Sequence, residues 1–299
     1  MDLKQLEYFV RVAEVGSFTR AATLLTVTQP SLSRQIRLLE VELRQTLLLR
    51  NGRGVQPTEA GSVLLKHARG LLLQADRARQ DVKELRGAAV GRVVVGMPSS
   101  VGRFLSTPLA FAFQATFPRA RLSILEGQTY IMEWLSMGRV DIGVLINPQP
   151  LPGIETTPLM KEPLYLIGAS KSPGAHLRIG RPVALKDLAG FNLLLPSRPH
   201  AIRMYLEAQL AQVGVTLEIP WELDAFSTIL DLVRKGFGHG VMPLSVFRDD
   251  ELKGHYLPRR IVKPELVSTV AIATHTTRPL SPVMLGVIEL IKTIVGPQA

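Results

Sequence analysis

The chain has 299 residues, longer than one typical domain, and 46% of them are hydrophobic, which supports real cores and excludes a largely disordered protein. It has no cysteine, so disulfides, thiolate metal sites and cysteine nucleophiles are excluded together. Its 35 Lys+Arg outnumber its 25 Asp+Glu, a formal +10 that suits a polyanionic partner, and residues 1–90 alone hold 14 basic against 9 acidic side chains.

The first segment, "MDLKQLEYFV", is an amphipathic start with an acid at position 2, unlike the charged-then-apolar start of a signal peptide. Leu3, Leu6, Phe9, Val10 and Ala13 form one helical stripe. "GSF" breaks it, with Ser17 placed to cap a second helix through Ala21, Ala22 and Leu25. After a turn at Thr26–Val27 comes "TQPSLSRQIRLLE". Thr28 or Gln29 serves as cap and Pro30 falls in the first helical turn, where its missing N–H costs nothing. Leu32, Ile36 and Leu39 form its apolar row, and Gln29, Ser33, Arg34 and Arg37 a polar face without a carboxylate. "LLLRNGRGVQPT" then reads as a hairpin turning at Asn51–Gly54 and carrying Arg50 and Arg53.

From Thr58 to near Arg86 there is no proline. Leu64, Ala68, Leu71, Ala75, Ala78, Val82 and Leu85 alternate at spacings of four and three, a heptad seam that predicts a helix pairing with another helix, and so homodimerisation. The alternative is one amphipathic helix lying on its own domain.

Past "GAAVGR" strands and helices alternate: "GRVVVGM", "FLSTPLAFAFQATF", "ARLSILEG", "YIMEWLSMG" and "VDIGVLI", then "LYLIGAS", "FNLLLP", a helix over 200–213, "LEIPWEL", a helix over 226–235, "GVMP", "STVAIAT" and a closing helix. This predicts an α/β fold with a largely parallel sheet, and the Pro/Gly-rich stretch 148–163 is the expected internal boundary. "GFGHGVMP" follows a helix rather than a strand, so it reads as a C-cap and turn and not as a dinucleotide loop. The six histidines show no metal-ligand spacing, Ser99–Ser100 sit in no hydrolase elbow, and neither a cofactor nor catalysis is indicated. The most apolar run, from Val283, is interrupted by Glu289 and Lys292; a cytoplasmic protein without a membrane partner is expected.

Two helices joined by a tight turn, the second with a polar, acid-free face, are the arrangement of a helix-turn-helix, whose second helix enters the major groove. Gln hydrogen-bonds adenine, Arg guanine or phosphate, and small Ser33 allows close approach. The basic hairpin would lie along the DNA as a wing, positioning rather than specifying.

"LEYFVRVAEVGSFTRAATLLTVTQPSLSRQIRLLEVEL…LLLRNGRGVQPTEAG" resembles the N-terminal signature of the LysR-type transcriptional regulators, nearly without gaps over about sixty residues. In the second half, "PLMKEPLYLIG" and "NLLLP" are similar to the branch containing the nitrogen assimilation control protein. "LRQTLLLR" departs from the family, which usually has a glycine and an aromatic or leucine before the arginine. The resemblance implies an all-α-type N-terminal domain with a winged helix-turn-helix over 1–58 and a dimerising linker helix over 59–88. It implies a two-lobed, periplasmic-binding-protein-like α/β effector domain over 89–299, with lobe I at about 89–162 and 266–299 and lobe II at about 163–265. It also implies dimers assembled into tetramers on double-stranded promoter DNA, with RNA polymerase as a further candidate partner. By position, Gln29, Pro30, Ser33 and Arg34 match the family's DNA-facing residues, flanked by Thr28 and Ser31, with Arg53 in the wing.

In open α/β sheets ligands sit beyond the carboxyl ends of strands. That rule and the resemblance select Ser99, Ser100, Thr129, Ser197, Arg203 and Thr228 as effector-binding candidates. Hydroxyls at helix N-termini beside an arginine suggest a small anionic effector. The competing readings are a solute-binding or enzymatic α/β protein with structural N-terminal helices, and a non-specific architectural DNA binder. The first lacks a secretion signal and a catalytic set, and the second gives the α/β half no purpose.

Overall fold

The computed structural model describes residues 1–52, 54–84, 91–127, 130–174, 176–248 and 253–296. The predicted site residues Arg53 and Thr129, and the seam residue Leu85, lie outside them. The chain divides into two compact units, one N-terminal and one formed by most of the remainder.

The first unit opens with α1 (Leu3–Val15), begun by a reciprocal cap in which the Asp2 carboxylate accepts from Gln5 N and the Gln5 side chain accepts from Asp2 N. Gly16, at φ 67°, ends it in the left-handed region. Ser17 caps α2 (Phe18–Leu24), accepting from Arg20 N, and Thr28 is the N-cap of α3 (Gln29–Leu43), with Pro30 in its first turn. A hairpin follows, β1 (Leu48–Asn51) antiparallel to β2 (Gly54–Pro57). Leu6, Phe9, Ala21, Leu32, Ile36 and Leu39 are the buried centre, so the apolar rows read from the sequence do face one another. Leu3 is the exception, standing exposed at the start of α1.

The last element of this unit is α4 (Glu59–Glu84). Its heptad seam divides. Ala68 is wholly buried, and Leu64, Leu65 and Leu72 pack against the same core, so the first turns lie on their own domain. Further along, Leu71 is 45% and Val82 62% exposed, and Ala78 is exposed too. The reading of a helix lying on its own domain holds for the first turns, and the seam beyond them is left exposed.

The second unit is built on an eight-stranded sheet. In chain order its elements are β3 (Arg92–Met97), α5 (Ser99–Thr116), β4 (Arg121–Glu126), α6 (Ile131–Ser136), β5 (Ile142–Ile146), β6 (Ile154–Ala169) and β7 (Val183–Ala184). Next come β8 (Leu194–Leu195), α7 (Ala201–Gln212), β9 (Trp221–Glu222), α8 (Phe226–Arg234) and β10 (Gly240–Pro243). β11 (Tyr256–Val262), β12 (Val267–His275) and α9 (Pro282–Val295) complete it. The order across the sheet is β4-β3-β5-β12-β6-β11-β7, with β10 also pairing β6. β8 and β9 form a small separate parallel pair.

The expectation of a largely parallel sheet is corrected. β3 pairs in parallel with β4 and β5, as helical crossovers require, but β12 runs antiparallel to β5 and β6, and β10 and β11 antiparallel to β6. The boundary expected over 148–163 is also largely strand: β6 begins at Ile154 and runs sixteen residues. Its N-terminal half pairs with β12 and its C-terminal half with β10 and β11, so one strand threads both lobes. Pro158 stands opposite Ala271 next to a register shift in the β6–β12 ladder, where Leu159 has no partner on β12.

Alternation along the strands gives each lobe a core on both sheet faces. Val93, Val95 and Met97 point into one cluster with α5 and α9, while Val94 joins Ile131 and Leu135 in another. In the second lobe Leu164 and Leu166 pack under α7, and Ile167 packs with Ile229 and Val233 of α8.

Candidate nucleic-acid interface and ligand cleft

Burying Leu32, Ile36 and Leu39 fixes the rotation of α3, because a helix has only one face to give its core. The opposite face then presents Thr28, Pro30, Ser31 and Arg34 as exposed and Gln29 and Ser33 as half-buried, all within the first two turns. The structure brings these six predicted residues together on one helix end. Arg50 of β1 lies against the same face: its Nη2 donates to Ser33 Oγ at 2.9 Å while its guanidinium sits 4.0 Å from the centre of the Phe18 ring. Of the two predicted wing arginines, Arg50 is among the described residues and leans on α3.

The hairpin is tied to α3 at its base as well. Glu40 Oε1 accepts from Leu47 N at 2.8 Å and Leu48 N at 3.3 Å, and Thr58 Oγ1 donates to Thr46 O at 2.7 Å. The family departure at Thr46–Leu47 is thus accommodated, with Leu47 buried in the core. Gly61 is needed there, since a Cβ on it would come 2.0 Å from Leu47 O.

In the α/β unit a small cleft opens between the start of α5 and the elements α7, α8 and β10. Ser99, Ser100 and His200 are its polar lining, and the rest is apolar or proline, including Leu194, Phe226 and Ile229. α5 begins at Ser99, five residues before the apolar segment from which it is predicted, so both serines sit in its first turn.

Of the predicted effector residues, the cavity gathers Ser99 and Ser100. Ser197 lies nearby, its backbone N donating to Asp224 Oδ1 at 2.9 Å, and Thr228 is exposed on α8 outside the lining. Arg203 is 5% exposed and turned inward: it donates Nε to Glu207, Nη1 to Pro196 O at 3.2 Å and Nη2 to Glu222 at 3.3 Å. Arg198 pairs with Glu207 as well. The arginine expected to hold an anion is thus a structural brace, because four charged groups satisfy one another there.

His200 carries no signal in the sequence, being a lone histidine without metal spacing. Its Nδ1 is shut off from solvent and has no hydrogen-bond partner among the described residues. Burial lowers its pKa from 6.5 to about 4, with Asp224 pulling weakly the other way, so the ring is neutral at physiological pH. Only its position at the mouth of a helix after a strand end could have marked it.

Residues 3–62 match the model of the bacterial regulatory helix-turn-helix protein, lysR family, and residues 86–295 that of the LysR substrate binding domain. The chain belongs to the LysR family. It is 31% identical over 298 residues to the nitrogen assimilation regulatory protein nac of Escherichia coli (strain K12), covering 99% of this chain and 96% of that one. It is 32% identical over 283 residues to the hydrogen peroxide-inducible genes activator of Pectobacterium carotovorum subsp. carotovorum, covering 94% and 92%. A full-length OxyR variant from Pseudomonas aeruginosa superposes with a TM-score of 0.67 at 26% identity, covering 99% and 97%.

This LysR-family chain is therefore a DNA-binding transcriptional regulator with an effector-binding domain, and its relatives are regulators rather than enzymes. The helix-turn-helix match ends inside α4 and the substrate-binding match begins just past the described end of that helix. Among the described residues no helix is long and apolar enough to cross a membrane, and no group of three or more His, Cys, Asp or Glu is placed to hold a metal.

Proposed function

We propose that this LysR-family regulator reads a two-fold promoter site with the first two turns of α3. Gln29, Pro30, Ser33 and Arg34 face the bases and the adjoining backbone, flanked by Thr28 and Ser31, and the hairpin carries Arg50 and Arg53 toward the phosphates. The observation that carries the reading is the rotation of α3: burying Leu32, Ile36 and Leu39 leaves an acid-free face outward. The matched structure of full-length CbnR complexed with its target DNA, 25% identical with a TM-score of 0.71 and covering 98% of this chain and 100% of that one, supports it.

The exposed seam of α4 from Leu71 onward pairs two copies, and two such dimers form a tetramer in the cytoplasm that engages RNA polymerase at the promoter. A small molecule in the α/β cleft then alters promoter binding or bending. The working divisions are 1–58 for DNA binding, 59–88 for pairing and 89–299 for sensing. Selection from a random duplex library tests the reading directly. A single two-fold motif should be enriched, and Arg34→Ala should lose it while staying folded and oligomeric. Recovery of no motif at moderate salt would overturn it.

A further inference from the structure

We infer that the cleft of the α/β domain takes an uncharged, largely apolar small molecule whose hydroxyl or amide hydrogen-bonds the His200 imidazole, and not an anion. The inference rests on reading that cleft as the sensing site and names the class of molecule sensed.

Three independent features set the chemistry. Among the described residues the lining has three polar members, Ser99, Ser100 and His200, and no lysine or arginine. Arg203, the nearest cation in sequence to this lining, has donors from all three guanidinium nitrogens engaged with Glu207, Pro196 O and Glu222. It cannot turn to a ligand unless that buried cluster breaks.

The positive end of α5 is the second feature. The carboxylate of Glu126, at the end of β4, lies so close to the first turn of α5 that a Cβ on Gly102 would come 2.4 Å from its Oε1. The chain's own negative charge thus occupies the neighbourhood where an incoming anion would gain from the helix dipole. Asp224, which accepts from Ser197 N, sets a second carboxylate within electrostatic reach of His200. An anion entering the cleft would meet the Asp224 carboxylate near His200, with no cation in the described lining to offset it.

The third feature is His200 itself. The ring lines the cleft and burial holds it neutral, so it meets a ligand with hydrogen-bonding capacity but no charge. An apolar body against Phe226 and Ile229, with one neutral polar group toward the ring, matches both the apolar and the uncharged polar parts of the described lining. A carboxylate would leave its own charge uncompensated.

The test compares matched fragments on the full-length protein: benzyl alcohol with benzoate, and cyclohexanol with cyclohexanecarboxylate. Binding is read from the imidazole nitrogen resonances of histidine-labelled protein, with the His200 signals identified by their loss in His200→Phe. The alcohols should shift those signals and bind at least tenfold more tightly than their carboxylate partners, and His200→Phe should lose the difference. Equal or tighter binding of the carboxylates overturns the inference, as does the absence of any shift with either alcohol at millimolar concentration. Should His200→Phe not fold, His200→Gln identifies the signals and the wild-type comparison decides alone. Operator selection is measured separately. Alcohol binding by a protein that selects no operator would sink the regulator reading only, and operator selection with carboxylate preference would sink this one only.

Discussion

Arg50 of the hairpin donates Nη2 to Ser33 Oγ of α3 at 2.9 Å, with its guanidinium over the Phe18 ring. Three elements, β1, α2 and α3, therefore meet through one side chain. Arg50→Ala should weaken operator binding through loss of hairpin positioning and cost the fold about 0.5–1 kcal/mol, the value of an exposed cation–π contact. The salt slope of binding separates this bracing role from a phosphate contact. An unchanged slope fits a brace, whereas a fall of about one unit per subunit would show that Arg50 meets a phosphate instead.

Arg34 stands exposed on the same face, one residue after Ser33. Arg34→Ala should lose on the order of 1–3 kcal/mol of discrimination at one base pair in each half-site, with thermal unfolding unchanged. Equal affinity of wild type and variant for the selected duplex in fluorescence anisotropy would remove Arg34 from the base-reading set.

Gly61, in the first turn of α4, has Leu47 O where a Cβ would go. The obstacle is backbone, held by Thr58 N at 2.9 Å, and it has little room to move. Gly61→Ala should destabilise the N-terminal domain by about 1–3 kcal/mol, read as a lower denaturant midpoint, although alanine is the better helix former.

The exposed half of the α4 seam predicts the assembly. Leu71→Asp with Val82→Asp should yield monomers in sedimentation experiments, because a charge on each of two facing seam positions cannot be buried. The first turns, held by Ala68 and Leu64 against their own domain, should stay folded. Persistence of the wild-type mass would place the dimer contact elsewhere.

Acid should destabilise the α/β domain. Burial depresses the His200 pKa from 6.5 to about 4, and burial with help from Arg259 depresses that of His239. Between those values the unfolded chain binds more protons than the folded one, so the histidine contribution is complete above pH 6.5 and is lost as pH falls toward 4. Glu162 works in the opposite sense, its pKa raised by burial against the hydrogen bond from Ser245, so its cost at neutral pH is relieved in acid. Wild type should lose about 2 kcal/mol to His200 between pH 7 and pH 5, and His200→Gln correspondingly less, in urea titrations. Identical losses in the two proteins would show that His200 accepts its proton without strain.

The local pieces of the fold were legible from the residues. Asp2, Ser17 and Gly16 mark helix ends through bonds made within a few residues, and the Leu32, Ile36, Leu39 row set the rotation of α3. Where partners lie far apart in the chain the reading fails. β11, with Pro258 and paired arginines, carries no strand pattern of its own and exists because β6 is beside it. "FNLLLP" and "LEIPWEL" look like full strands, yet their shared ladder covers just Leu194–Leu195 and Trp221–Glu222, with a lone bridge from Leu193 to His239.

The site followed the same division. Periodicity, caps and the N-terminal signature determined, from sequence alone, a helix-turn-helix, the acid-free face of its second helix and two serines just past the end of β3. Tertiary structure decided which groups are spent. Ser33 is engaged by Arg50 seventeen residues away, Arg203 is held by Glu222 nineteen away, and Gly102 faces Glu126 across the sheet. Hydrogen-bond capacity is exhausted by whichever partner the fold brings near, and a linear pattern does not show the partner. His200 emerged by that subtraction, as a titratable group of the cleft whose Nδ1 finds no partner among the described residues.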